Sequence, residues 1–363
     1  MSEAELACVW VSMLDISDRQ KQNLFSITEP EFLINNLEAF KDEIEEEIGR
    51  EGYDELLKIS KVDVINFVDS VIRQKGNIIT KYSSEYPSCL LDLAYPPYVL
   101  YYCGDISLLN SKMLTIVGTR RCSAEGFATT RKISEIAASA GITIVSGLAD
   151  GIDSSAHMGA LDAGGKTIAV LGFGYSFLTN TPSRKLAVEI LKAGGLIISE
   201  YKPSLNPSRI TFPIRNRIMA ALSSATLIGE APLKSGTVYT AEKAIELKRK
   251  VFAVAGKIGS HNSEYGLKLI REKKADCLTS AQDILDFYGV ESKDISDGFV
   301  DLSDELNEEE KAVYELLKVE DLHISDLLKR TKYDIKKLNN LLTNMEISGI
   351  ISKLAGGYYT LNT

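Results

Sequence analysis

The sequence predicts an α/β fold built on a parallel sheet, with a helical segment before it and a small separate unit after it. Three observations predict this. Short apolar runs rich in β-branched residues alternate with helical patterns from about residue 99 to residue 254, as parallel strands joined by crossover helices do. Twice in succession, at 113–126 and at 142–157, such a run delivers glycine and hydroxyl residues to a helix start. After residue 305 the pattern changes to three helices and a hairpin.

Residues 1–80 read as a helical domain. Leu6, Val9, Trp10, Met13 and Leu14 form an apolar stripe at helical spacing, residues 43–47 are an acidic run with Ile44 and Ile48 four apart, and 56–71 is again amphipathic. Pro96 and Pro97 exclude helix from the bridge that follows, and 99–102 reads as a short strand. Residues 113–117 are apolar throughout, as expected of a buried parallel strand. They lead into Gly118-Thr-Arg-Arg-Cys-Ser-Ala-Glu-Gly126, and a helix runs to about Ala140, where Gly141 stops it. The strand 142–145 enters Ser146-Gly-Leu-Ala-Asp-Gly-Ile-Asp-Ser-Ser-Ala-His157. Further strands are expected at 167–171, 196–199, 225–228 and 251–254. The intervening helices are expected over 185–193, just beyond the proline-punctuated loop 202–213, and from 237 to near Arg249. Residues 291–304 have linker composition, and the three helices and hairpin of 305–363 make a winged helix. The domain reading is therefore 1–80, 81–290, a linker 291–304, and 305–363.

Composition narrows the function. No apolar run reaches the about 18 residues of a membrane-spanning helix, and the N-terminus shows no basic, apolar signal segment. Five cysteines, odd in number and without a C-x-x-C pair, point to a reducing cytoplasm rather than to disulfides or zinc. Three widely spaced histidines argue against metal catalysis, so neither a metal nor a cofactor is expected. The net charge of −9 is unevenly spread. Residues 1–80 carry 17 acidic and 8 basic side chains, residues 81–290 carry 18 and 24, and residues 291–363 carry 15 and 9. A basic middle between acidic ends suits an anionic ligand for the middle, with ordinary surface variation as the alternative reading. In the winged helix Lys336, Lys337 and Lys353 are the expected contacts to nucleic acid, and a protein-contact or purely structural role stays open.

In a doubly wound sheet ligands bind at the carboxyl ends of the strands, and the glycine, hydroxyl and basic clusters all fall there. The turns carrying Gly118, Thr119, Ser123 and Gly147 present N–H groups beside helix starts and so suit phosphate, or are tight turns with no ligand. Their glycine spacing is not the dinucleotide fingerprint. Arg120, just past a strand end, can fork onto phosphate or pair with Asp153 or Glu200. Lys234 precedes Ser235, Gly236 and Thr237, so a cation and free N–H groups converge on one anion; the alternative is a capped helix with a solvated lysine. Arg215 and Arg217 flank Asn216 and face different ways, one expected on phosphate and the other in an internal pair. Arg209 and Phe212 flank a loop where a cation and a ring grip backbone and base, with a core anchor as the alternative for Phe212. Arg184 completes the set, and His157 is expected to be structural. Right-handed crossovers predict that Arg120, Arg209 and Lys234 line one groove, with Gly118, Gly147 and Gly236 admitting the ligand to the backbone.

Four separated stretches resemble the DNA-processing protein A (DprA/Smf) family: Ile-Val-Gly-Thr-Arg-Arg at 116–121, the Ser-Gly-Leu-Ala-Asp-Gly-Ile-Asp-Ser-Ser-Ala-His run at 146–157, Phe-Pro-Ile-Arg-Asn-Arg-Ile at 212–218, and Glu-Ala-Pro-Leu-Lys-Ser-Gly-Thr at 230–237. The resemblance covers about 80–288. It implies an extended Rossmann-like fold without enzymatic activity, binding of single-stranded DNA, a homodimer, and loading of a RecA-type recombinase in natural transformation. Departures from the family pattern are Asp150 where an arginine is common, Leu178-Thr-Asn-Thr-Pro182 after the third sheet strand, Ala255-Gly256 after the last, and an N-terminal domain without a Gly-Ile-Gly turn. The competing reading is a nucleotide phosphoribohydrolase of the LOG (lysine-decarboxylase-like) type. Residues 234–242 echo its Pro-Gly-Gly-x-Gly-Thr-x-x-Glu motif, without the Pro-Gly-Gly and with Glu242 two positions late. A nucleotide-sensing module is the third.

Overall fold

In the computed structural model the described residues are 1–291, 306–348 and 350–361. The linker expected at 291–304 lies outside them except for its first residue, as does Gly349 of the expected hairpin. The chain divides into two compact units, residues 1–292 and 293–363.

The first unit opens with five helices: α1 (Glu3–Met13), α2 (Asp18–Ile27), α3 (Pro30–Asn35), α4 (Lys41–Lys58) and α5 (Lys61–Arg73). α1, α2 and α5 each start on a serine whose hydroxyl accepts from the third helical N–H while that residue's side chain accepts from the serine N–H. The strands are β1 (Asn77–Thr80), β2 (Val99–Gly104), β3 (Met113–Val117), β4 (Thr143–Ser146), β5 (Thr167–Leu171), β6 (Leu196–Ser199), β7 (Ala225–Ile228), β8 (Lys250–Val254) and β9 (Asp276–Leu278). They form one sheet in the order β1-β2-β6-β5-β4-β3-β7-β8-β9. From β6 to β9 every pairing is parallel, while β2 runs antiparallel to both β6 and β1. The crossovers carry α6 (Ala124–Ser139), α7 (Ile152–Asp162), α8 (Arg184–Lys192), α9 (Thr211–Leu222), α10 (Thr237–Glu246), α11 (Glu264–Arg271) and α12 (Gln282–Tyr288).

This is the expected α/β architecture, with two strands that were not expected. β1 lies within the stretch read as helical, and β9 has three residues. Side chains alternate across the sheet. Ile168 and Val170 of β5 join one core, with α9, α10 and α11, while Ala169 and Leu171 join the other. That second core also takes Trp10, Leu24, Leu33, Ile44 and Leu56, all fully buried, so the N-terminal helices and the sheet share one apolar interior. The Ser12 and Tyr101 hydroxyls meet at 2.8 Å inside it.

The second unit holds α13 (Glu308–Leu317), β10 (Leu322–His323), α14 (Ile324–Thr331), α15 (Ile335–Ile347), β11 (Ile351–Lys353) and β12 (Tyr358–Leu361), with the sheet ordered β10-β12-β11. It is a winged helix around Val313, Leu317, Leu327, Leu338, Met345 and Ile351. Of its expected contact residues, Lys337 pairs with Glu309 at 2.6 Å and Lys353 sits over the Tyr359 ring, while Lys336 is exposed and has no ion pair among the described residues.

Candidate nucleic-acid interface

Strand order reverses between β3 and β7, which pair in parallel with Val117 opposite Ile228. The chains leaving these neighbours turn to opposite faces of the sheet, and a crevice must open at their carboxyl ends. A cleft of about 360 Å³ lies there, lined by the turn after β3, the start of α9 and the start of α10. Nine of the fifteen residues expected to form the site line it: Gly118, Thr119, Arg120, Phe212, Arg215, Asn216, Ser235, Gly236 and Thr237. Ser123, Gly147, Arg184, Arg209, Arg217 and Lys234 do not. Arg121 and Thr240, not anticipated, do. Arg121 was legible as the second arginine of the turn, and Thr240 as the residue one helical turn beyond Thr237.

The arginines of α9 depart from expectation. Arg215 is 4% exposed. Its guanidinium donates to the Gly147 carbonyl at 3.0 Å, to the Asn216 side-chain oxygen at 3.1 Å, and to the Val170 carbonyl. Burial lowers its pKa to about 10, with Asp153 opposing the shift, so it stays charged at neutral pH. Arg217 is held by Glu200 at 2.7 Å and Asp18 at 3.2 Å. Burial works against its charge, but the two carboxylates outweigh it and its pKa is raised. Both arginines thus serve the interior, and the expectation that one is free for phosphate is corrected: a buried guanidinium has to be matched locally, and Arg215 is held by three acceptors while Arg217 is held through Nη2 by two carboxylates, its buried Nη1 having no hydrogen-bond partner. Asn216 is engaged as well, donating to the Gly236 carbonyl at 3.1 Å.

The turns are corrected in the same way. Asp153, 6% exposed, accepts from the backbone N–H groups of Gly118, Gly147 and Ala149. The donors expected for phosphate at the first two glycines therefore face an internal carboxylate. Burial pushes its pKa up to about 6, against the pull of Arg215 and those three N–H groups. Gly118 cannot carry a side chain here, because a Cβ would come within 2.5 Å of Ile152. Ser123 caps α6 and gives its N–H and hydroxyl to Glu230 at 2.7 and 2.5 Å, which removes it from the expected phosphate donors. His157 is buried, with Nδ1 at 2.6 Å from the Thr167 hydroxyl.

The exposed cations are different. Arg120 and Arg121 on the lining, and Arg184, Arg209 and Lys234 off it, are exposed, and none has an ion pair among the described residues. Arg120 pairs with neither Asp153 nor Glu200; its guanidinium lies 5.3 Å above the Phe212 ring centre, while Phe173 meets that ring edge-on at 6.1 Å. One face of Phe212 is therefore already covered, and the stack facing outward is Arg120 on Phe212. Gly236 has open space where a side chain would stand. Beside it the hydroxyls of Ser235 and Thr240 are buried on the cleft wall with no hydrogen-bond partner. Such hydroxyls are ready to bond a group entering the cleft. Among the described residues no cluster of His, Cys, Asp and Glu could hold a metal ion, and no helix is long and apolar enough to cross a membrane.

Residues 77–289 match the family described as DNA recombination-mediator protein A, and residues 301–357 match the DprA winged helix domain. The chain belongs to the DNA recombination-mediator protein A family. It is 41% identical over 199 residues to protein Smf of Synechocystis sp., an alignment covering 54% of this chain and 50% of that protein, so the matched part is about half of that relative's length. The X-ray structure of DNA processing protein A (DprA) from Streptococcus pneumoniae is similar with a TM-score of 0.63 and 30% identity, over 79% of this chain and 98% of that one. DNA processing protein A from Helicobacter pylori, whose structure is described as giving insights into a unique single-stranded DNA binding mode, is similar with a TM-score of 0.54 and 28% identity, over 59% of this chain and 95% of that one.

Proposed function

We propose that this chain binds single-stranded DNA across the rim of the β3/β7 cleft, protects it, and loads a RecA-type recombinase onto it in natural transformation, as a cytoplasmic homodimer without catalytic activity. The observation that carries the DNA-binding reading is the set of exposed, unpaired cations, Arg120, Arg121, Arg209 and Lys234, around a cleft whose one lining carboxylate, Asp153, is enclosed. The exposed acid nearest in sequence to the lining is Asp150, beside Ala149, and Arg120 and Arg121 on the lining outnumber it. Arg120 on Phe212 offers a flat cationic surface on which an unpaired base stacks, which a duplex cannot supply. The Helicobacter pylori relative supports the ligand class. The recombinase, the dimer and the cytoplasmic location rest on the family resemblance. Co-purification with a RecA-type recombinase and sedimentation at micromolar concentration test the first two.

Fluorescence anisotropy with single-stranded and double-stranded oligonucleotides of one sequence tests the binding. Single-stranded DNA is expected to bind more tightly, with affinity falling steeply between about 50 and 200 mM salt. Salt-insensitive binding, or a preference for duplex, rejects the reading. The hydrolase alternative needs the glutamate of its motif at the cleft, and Glu242 is exposed and off the lining. Incubation with nucleoside monophosphates separates the two: release of base supports the enzyme.

A further inference from the structure

A second and larger cleft, about 710 Å³, lies among the N-terminal helices, away from the sheet's carboxyl edge. Its cause is a break in α4. Gly49 sits at φ 75° and ψ 164°, outside helical space, so the helix stops and restarts around it. Ile48 before the break, Ile59 after α4, and Leu14 and Ile16 just past α1 supply its apolar walls. Asp15, Glu51, Asp54 and Glu55 stand exposed along the rim. Only Glu55 has a cationic partner among the described residues, Lys58 at 2.6 Å. Lys58 also lines the cleft, so four carboxylates face one ammonium there, and the surrounding 80 residues carry 17 acids against 8 bases.

We propose that this cleft is a docking site for a basic, amphipathic helix of a partner protein. The apolar walls would take its hydrophobic side chains, and Asp15, Glu51 and Asp54 would pair with lysines or arginines flanking them, the helix-in-groove mode. The charge argues for this occupant over the others. Nucleic acid is repelled by the rim, and the same surface of a second copy brings the same acids. The proposal does not rest on the DNA-binding reading, because no residue is shared between the two clefts.

The test uses the intact chain and a fluorescein-labelled peptide of about 18 residues, with leucines at i, i+3, i+4 and i+7 and lysines elsewhere. One control peptide has the same composition scrambled to destroy the apolar face, and another replaces lysine by glutamate. The amphipathic basic peptide is expected to bind at least about ten-fold more tightly than either control. The combined variant Asp15→Asn, Glu51→Gln, Asp54→Asn, in which only exposed residues change, is expected to lose about ten-fold in affinity for it at unchanged melting temperature. Ile16→Asn, checked for folding by its melting curve, is expected to lose binding through the apolar wall. Equal binding of the scrambled peptide, or full binding by the rim variant, overturns the proposal. A self-association in sedimentation that the rim variant abolishes also overturns it, by placing a second copy in the cleft.

Discussion

The rim and the floor of the β3/β7 cleft carry the same residue types and use them oppositely. On the rim, Arg120 is exposed and has no ion pair among the described residues, and the same holds for Arg209 and Lys234, which the proposed function sets beside it. On and beneath the floor, Arg215, Arg217, Asp153 and His157 are buried or nearly so, each held by neighbours. Burial forces this division. A charge in the interior has to be matched by a local partner, whereas a charge in water is free to be matched by a ligand. The difference teaches that an arginine in a motif at a strand end is a binding residue only if nothing inside the fold has claimed it. Arg215 and Arg217 are claimed, the first by carbonyls of the loop after β4 and of β5, the second by carboxylates of α2 and of the residue after β6.

The largest effect expected from breaking this contrast is at the floor. Arg217→Ala leaves Glu200, whose side chain is 9% exposed, with an uncompensated buried charge. The loss of stability should be on the order of 3–5 kcal/mol, read in urea or thermal unfolding. DNA affinity per folded molecule should be kept. If Arg217→Ala instead folds normally and binds DNA weakly, this arginine belongs with the rim. The rim should show the converse. Arg120→Ala, Arg209→Ala and Lys234→Ala together each remove a charge-assisted contact of about 1–2 kcal/mol, so single-strand affinity should fall about a hundredfold or more with little change in melting temperature. Affinity preserved in this triple variant rejects the groove.

The division also marks what the sequence could disclose. Periodicity and turn chemistry made the parallel strands and their helices legible, because β3 to β8 are apolar runs bounded by glycine or by a helix end. β1 was missed because four residues following a helix carry too little alternation, and β9 because three carry less. The cleft was legible as a place, since strand ends, glycines and cations coincide there. Which groups face it was not. That Asp153 takes the N–H groups of both Gly118 and Gly147 depends on α7 bringing residue 153 back beneath two turns from different strands. Ser123 is likewise removed by Glu230, 107 positions away, and no local spacing carries that information. The stack of Arg120 on Phe212 joins residues from two crossovers in the same way.

The smallest effect sharpens the floor's side of the comparison through pH. The Thr167 hydroxyl donates to the Ile144 carbonyl at 2.8 Å, so toward His157 Nδ1, at 2.6 Å, it acts as acceptor. The proton is therefore on Nδ1, and Nε2, buried without a partner, carries the lone pair. A second proton would place a cation in the interior with no acceptor and with Arg215 repelling it. Burial first, and Arg215 second, lower the pKa from 6.5 to about 3. The unfolded chain then binds a proton that the folded chain refuses, so this contribution to stability is complete above about pH 6.5 and is lost as pH falls toward 3. Asp153 acts in the other direction: its carboxyl is raised from 3.8 to about 6, so the folded form holds the proton longer and stability falls as pH rises through that window. The two slopes oppose each other in the wild type, and an acid titration of that protein alone would understate both. His157→Asn removes one of them. The stability difference between wild type and this variant should shrink by up to about 1.4 kcal/mol for each unit of pH below 6.5, measured by urea midpoints from pH 7.5 down to pH 4.5. A difference that stays constant across that range would mean that the histidine titrates as freely in the folded chain as in the unfolded one, and the floor would then be open to water in a way the rim alone is argued to be.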